Sequence, residues 1–271
     1  MDDASRRLTK AYNDPAFLSG REARPLRILA EYLEPKARFD EQAIQDTIVF
    51  FGSARLMDRD AAEARLQAAK AGDGDVAEAE MRLHLSTYYE AARELAKRLT
   101  KWSMDLPGEA QRFVVCTGGG PGIMEAANRG AAEAGGKNIG LTISLPIEEF
   151  ENAYVSERLG FEFHYFFMRK FWFTYMAKAI IAMPGGFGTL DELFEILTLI
   201  QTLKIKKRLP IVLFGSEYWS EVINFDALVR FGTINADDLD LFHHTDSIDD
   251  AFDYVTRELT AHALEDPGPT L

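Results

Sequence analysis

Short apolar runs that end in glycine recur along this chain, and a stretch of helical character follows most of them. DTIVFFGSAR (46–55), RFVVCTGGG (112–120), KAIIAMPGG (178–186) and LPIVLFG (209–215) carry the pattern, and NIGLTISLP (138–146) is a further apolar run. The runs are apolar throughout rather than alternating, as strands covered on both faces require. STYYEAARELAKRLTKW, PGIMEAANRGAAEAGG, TLDELFEILTLIQTLK and SEYWSEVINFDALVRFG lie between or after them and each reads as one helix. GFEFHYF (160–166) reads as a further strand, MRKFWFTYMA (168–177) as a helix, and SIDDAFDYVTRELTAHA (247–263) as the closing helix. Strand–helix alternation of this kind predicts an α/β, Rossmann-like, doubly wound parallel sheet with helices on both faces.

The organisation expected from this pattern is a single Rossmann-like domain over 45–265, preceded by a polar helical extension over 1–44. An alanine-rich, charged excursion over 56–80 is broken by GDGD, and 266–271 reads as a frayed tail. The formal net charge of −13 disfavours partners that need a basic surface, so neither nucleic acid nor an anionic membrane is expected. Cys116 is the one cysteine, which excludes an internal disulfide and a cysteine-rich metal site. It lies in an apolar strand and reads as core. No apolar run approaches the roughly 20 residues that span a bilayer, and the opening MDDASRRLTKAYND lacks the apolar centre of a signal peptide. A cytoplasmic protein is expected.

In a doubly wound sheet, ligands bind beyond the carboxyl ends of the strands. The turns FGSAR, TGGGPGIM and PGGFGTLDE all fall there, each between a strand and a helix. A helix start offers unpaired N–H groups and positive dipole charge, and glycine lets the backbone approach a ligand closely. The combination predicts a phosphate-bearing small molecule, held by Ser53, Gly119, Gly120 and Met124 of the first two turns and by Gly185, Gly186, Phe187, Gly188, Thr189 and Asp191 of the third. The dinucleotide pattern G-x-G-x-x-G and the Walker pattern are both absent, which leaves a mononucleotide or sugar phosphate. Arg169 and Lys170 stand near a helix start, where cations are unfavourable unless an anion is bound beside them. Glu192 admits two readings. Its spacing from Thr189 is that of a capping box, and it is also a carboxylate one turn inside a phosphate-binding helix. In the second role it would stabilise the positive charge that develops at a sugar's anomeric carbon when an N-glycosidic bond breaks. His164, His243 and His244 have no partners at metal-ligand spacing, and no metal or organic cofactor is expected.

At these residues the sequence resembles the LOG (Lonely Guy) family, whose members have often carried the label lysine decarboxylase. The signature PGGxGTxxE is matched by Pro184, Gly185, Gly186, Gly188, Thr189 and Glu192; GGGPGIMEAANRGA and MRK match two further motifs in order. The resemblance covers roughly 46–230, and YFFMRK with the long N-terminus is similar to the longer branch of the family. It implies a phosphoribohydrolase that cleaves AMP or N6-modified AMP, such as isopentenyl-AMP, to free base and ribose 5-phosphate. It implies Arg169 and Glu192 as the catalytic pair, the glycines and Thr189 at the phosphate, and Lys170, Glu148 and Thr198 as further substrate contacts. It also implies a homo-oligomer, at least a dimer, with sites near the subunit contact. The motifs read phosphate and ribose, not the base. A non-catalytic nucleotide-binding or sensing module on the same fold is the alternative. A pyridoxal decarboxylase would need a lysine placed for a Schiff base, and no lysine context singles one out.

Overall fold

A computed structural model describes residues 8–144 and 152–269. In chain order the elements are α1 Pro15–Ser19, α2 Arg24–Glu41, β1 Thr47–Phe51, α3 Arg59–Lys70, α4 Val76–Met104, β2 Val114–Thr117, α5 Ile123–Glu133, β3 Asn138–Ile143, β4 Gly160–Phe163, α6 Phe166–Met176, β5 Ala177–Ala182, α7 Phe187–Gln201, β6 Ile211–Phe214, α8 Ser216–Val222, α9 Phe225–Arg230, β7 His243–Thr245 and α10 Ile248–His262. The strands form one seven-stranded sheet in the order β4-β3-β2-β1-β5-β6-β7, and every pairing is parallel. The chain winds outward from β1 to β4, then returns to place β5 on the other side of β1. The order therefore switches between β1 and β5, where such a sheet opens a crevice at its carboxyl ends.

Both faces of the central strands are buried, as their apolar runs require. In β1, Ile48 and Phe50 point into one layer with Tyr89, Leu95 and Leu99 of α4, Ile123 of α5 and Val255 of α10. Val49 and Phe51 point into the other, with Phe39 of α2, Trp172 and Phe173 of α6, Leu193 and Ile196 of α7 and Trp219 of α8. The excursion is α3 and the first turns of α4, each capped by an aspartate. Asp58 accepts from the Ala61 amide and Asp75 from those of Ala77 and Glu78. Gly72 and Gly74, both at positive φ, turn the chain between them.

At the amino ends of the strands, buried Asp46 accepts from Arg112 Nε at 2.8 Å and from the Phe113 amide at 2.6 Å. The Arg112 guanidinium also donates to the carbonyls of Ala263 and Leu264, and Lys178 donates to that of Asp266. Burial pushes Lys207, whose ammonium donates to the carbonyls of Thr174 and Tyr175, down to about 7.

The structure departs from the sequence reading in two elements. SEYWSEVINFDALVRFG is two helices, because Ile223 adopts extended backbone and Asn224 caps α9 through the Ala227 amide. β7 was not foreseen: HHT carries no apolar run, and its place comes only from pairing with β6. Among the described residues no helix is long and apolar enough to cross a membrane.

Candidate functional site

A cleft of about 1180 Å³ opens at the carboxyl ends of the strands, over the switch between β1 and β5. The three turns picked out in the sequence form its floor, and Ser53 ties them together. The Ser53 amide donates to the Pro184 carbonyl at 2.9 Å, and the Ser53 carbonyl accepts from Ile123 at 3.0 Å. Two glycines make this approach feasible. A Cβ on Gly122, where φ is +70°, would lie 2.3 Å from the Ser53 carbonyl oxygen, and one on Gly185 would lie 2.2 Å from Thr189 Oγ1. Gly119 is held at φ +68° while its amide donates to Thr117 Oγ1 at 2.9 Å. Thr117 in turn donates to buried Asn128, which also binds Asn138 and the Ile139 carbonyl.

The third turn is built differently from its sequence reading. The N-cap of α7 is Gly186, with no side-chain cap, and Thr189 lies inside the first turn, packed against Gly185. The capping box is therefore not formed. The first intrahelical bond runs from the Leu190 amide to the Gly186 carbonyl. The amides ahead of it, at Phe187, Gly188 and Thr189, sit at the positive end of α7 without intrahelical partners. An anion is what such an end accepts.

Glu192 lies in the second turn of α7 and faces Arg169 of α6. Arg169 Nη2 is 2.9 Å from Glu192 Oε1, and each side chain is 12% exposed. The guanidinium stands 5.2 Å from the ring centre of Phe166 and 5.6 Å from that of Phe173, and its buried Nε has no hydrogen-bond partner. Burial pushes the Glu192 carboxyl up to about 7, against the pull of Arg169 and Lys170. A carboxyl poised there at neutral pH is able to accept or release a proton.

Ser53, Gly119, Gly120, Met124, Arg169, Gly185, Gly186, Phe187, Gly188, Thr189 and Glu192 all line the cleft. Lys170, Asp191 and Thr198 do not. They border a shallow recess of about 570 Å³ on the outer side of α6 and α7, with Leu190, Phe194 and Phe187. There Lys170 pairs with Asp191 at 2.7 Å and Glu195 at 2.9 Å, and the Thr198 hydroxyl is taken by the Phe194 carbonyl. The helix phase is the reason: Arg169 and Lys170 are adjacent in α6 and so point to different sides, and Asp191 and Glu192 divide in the same way on α7. Glu148 lies outside the described residues.

Sequence reasoning missed several cleft residues. The Tyr218 hydroxyl, in the first turn of α8, donates to the Gly185 carbonyl and braces the third turn. Its signal was its place just after LFG, at the carboxyl end of a strand. Thr142, Ser144, Glu162 and Phe166 also line the cleft. Glu162 was signalled by the exposed, alternating position it takes in GFEF.

A family model described as "Possible lysine decarboxylase" matches residues 124–255. The chain is 31% identical over 157 residues to "Probable cytokinin riboside 5'-monophosphate phosphoribohydrolase LOGL3" of Oryza sativa subsp. japonica, across 55% of this chain and 67% of that protein. It is 33% identical over 156 residues to "Cytokinin riboside 5'-monophosphate phosphoribohydrolase LOG" of the same plant, across 56% of this chain and 59% of that one. The chain spans about half to two thirds of the length of the curated relatives it matches. Among solved structures, a Moco carrier protein from Chlamydomonas reinhardtii is 21% identical, with a TM-score of 0.45 across 80% of this chain and 99% of that one.

Proposed function

This chain belongs to the LOG family, and we propose that it hydrolyses the N-glycosidic bond of purine nucleoside 5′-monophosphates, AMP and N6-modified AMP among them. The relatives' names support the phosphoribohydrolase class. The observation that carries the reading in this chain is the buried Arg169–Glu192 pair, one turn below the open amino end of α7, in the wall of the cleft.

The phosphate rests on the amides of Phe187, Gly188 and Thr189, with Gly185 leaving the room and Tyr218 bracing the turn. This anchoring puts the ribose over the Arg169–Glu192 pair. As the bond from C1′ to the base breaks, positive charge grows on the sugar, and the Glu192 carboxylate stabilises it. The oxygen of one water bonds to C1′, and the water gives up a proton to Glu192. The base leaves with the bonding electrons and takes a proton from solvent, so nucleotide and water become free base and ribose 5-phosphate. Arg169 holds the carboxylate in place and keeps part of it ionised at neutral pH.

The reading includes a homo-oligomer, at least a dimer, and a cytoplasmic setting in which nucleotides are at hand. The test is incubation with AMP and with isopentenyl-AMP, following free base and ribose 5-phosphate by chromatography. Release of base is the expected result. Failure with both and with other purine mononucleotides overturns the reading, and saturable AMP binding without product would mark a binding module instead.

A further inference from the structure

α2, in the N-terminal extension, lies outside the cleft, yet it grips the segment that carries Arg169. α6 hangs from β4, which is an edge of the sheet and pairs with β3 alone. The turn between them is two residues, His164 and Tyr165, and α6 opens without a side-chain cap of its own. Glu31 of α2 supplies what the turn lacks. One carboxylate oxygen accepts from the His164 amide at 2.8 Å, the other from the Tyr165 amide at 3.2 Å. The same carboxylate stands at the amino end of α6, where negative charge is favourable.

One residue carries this grip to the Arg169–Glu192 pair. The Tyr165 carbonyl accepts from the Arg169 amide at 3.2 Å. Beyond Arg169, Trp172 Nε1 donates to the Glu31 carbonyl at 3.0 Å, and Tyr32 stacks on the Trp172 ring. Arg169 therefore lies between two attachments of α6 to a single residue of α2. Its guanidinium depends on that placement. Nη2 meets Glu192, buried Nε has no hydrogen-bond partner, and the rings beside it, Phe166 and Phe173, ride on α6 themselves. Where α6 sits decides where the guanidinium sits.

We infer that Glu31 is a positioning residue for the hydrolysis: by binding both amides of the His164–Tyr165 turn, it fixes the placement of α6 that brings Arg169 onto Glu192. The inference rests on the hydrolase reading above and gives the N-terminal extension a part in it. Glu31 acts through α6 and touches no substrate. The phosphate cradle belongs to α7, so nucleotide binding does not depend on this grip.

The test measures kcat and KM for AMP across pH in the full chain and in Glu31→Ala, Glu31→Gln and Arg38→Ala. Glu31→Ala is expected to lower kcat about tenfold to a hundredfold, the cost of misplacing a reacting group by about 1 Å, with KM little changed. Glu31→Gln keeps one acceptor and should fall between Ala and wild type. Arg38→Ala is the control for stability. Arg38 ties α2 to the same edge through the carbonyls of Arg158 and Gly160, ahead of the turn, so kcat should hold while the melting temperature falls. The pH profile separates positioning from general loosening. Arg169 and Lys170 of α6 lower the Glu192 ionisation, against Asp191 and Glu195, so a displaced α6 moves the rising limb of kcat/KM up from about 7. If Glu31→Ala does not fold, Glu31→Gln decides by the same readouts. Wild-type kcat, an unmoved limb, or an equal loss of kcat in Arg38→Ala overturns the inference while base release stands. No base from the wild type with any purine mononucleotide overturns the hydrolase reading, and this inference falls with it.

Discussion

Glu192 stands with its carboxylate 2.9 Å from Arg169, and burial lifts its ionisation from the ordinary 4.5 to about 7. In the proposed reaction the carboxylate is the active form, so kcat/KM should rise with pH up to about 7 and level off above it. The substrate's phosphate has its own ionisation near 6, and the two limbs need separating. Glu192→Gln does this: we expect kcat to fall about 10² to 10⁴-fold, the limb near 7 to vanish, and AMP binding to persist in equilibrium titration. The linkage to stability has a definite sign. A carboxyl whose folded pKa is raised costs stability as pH climbs from about 4.5 to 7, because the unfolded chain ionises first. The melting temperature of Glu192→Gln should therefore gain on wild type between pH 5 and pH 8. A loss of several degrees at every pH, with activity kept, would return Glu192 to a structural role. That Glu192 is not part of a capping box could not be read from PGGFGTLDE. The spacing was right, but Gly186 takes the cap because Phe187 already has helical backbone.

Among the elements, α4 and α5 meet through a glycine. A Cβ on Gly130 would lie 2.0 Å from the Arg93 carbonyl oxygen of α4. Alanine is favoured over glycine in a helix by about 1 kcal/mol, yet here the clash is with backbone and the helices have to separate. Gly130→Ala should therefore destabilise by about 2 kcal/mol or more in denaturant titration, and a stabilised variant would disprove the contact. At the strands' amino ends, Asp46→Ala strands Arg112 and the Phe113 amide, and should cost about 3–5 kcal/mol by the same measurement. What could be read ahead of the structure follows from the same physics. TIVFF, VVCT and AKAIIA declared themselves because both faces are buried and all but Thr47, Thr117 and Lys178 are apolar. HHT did not, since β7 exists only where β6 leaves an edge to pair with. The break at Ile223 and Asn224 lay in a stretch with helical periodicity on both sides, so only the Asn224 cap reveals it. Arg169 and Glu192 were found by motif, whereas Tyr218 and Glu162 reach the cleft from segments that carry no motif and are brought there by sheet order alone.

On the scale of the whole molecule, the outer side of α6 and α7 carries an exposed apolar cluster. Phe187 is 93% exposed, with Phe194 and Leu190 beside it around the recess that holds the Lys170 ion pairs. Phe187 also lines the cleft, so whatever covers this face bears on the mouth of the site. An isolated exposed phenylalanine is ordinary, but an apolar cluster rimmed by Lys170, Asp191 and Glu195 has the make-up of a subunit contact. The proposed dimer uses this face, and Asp191 and Thr198 then gain a role at the contact rather than in the phosphate cradle. Phe194→Glu puts a like charge beside Glu195 in a surface that a second copy would have to desolvate. We expect wild type to sediment as a dimer or larger at micromolar concentration, and Phe194→Glu to shift toward monomer. Its fold should stay intact by circular dichroism, because Phe194 is not among the core residues. The nucleotide KM should rise in the variant, since the partner no longer covers Phe187. A wild type that is monomeric at every concentration would confine the site to one chain and leave the apolar face to another partner.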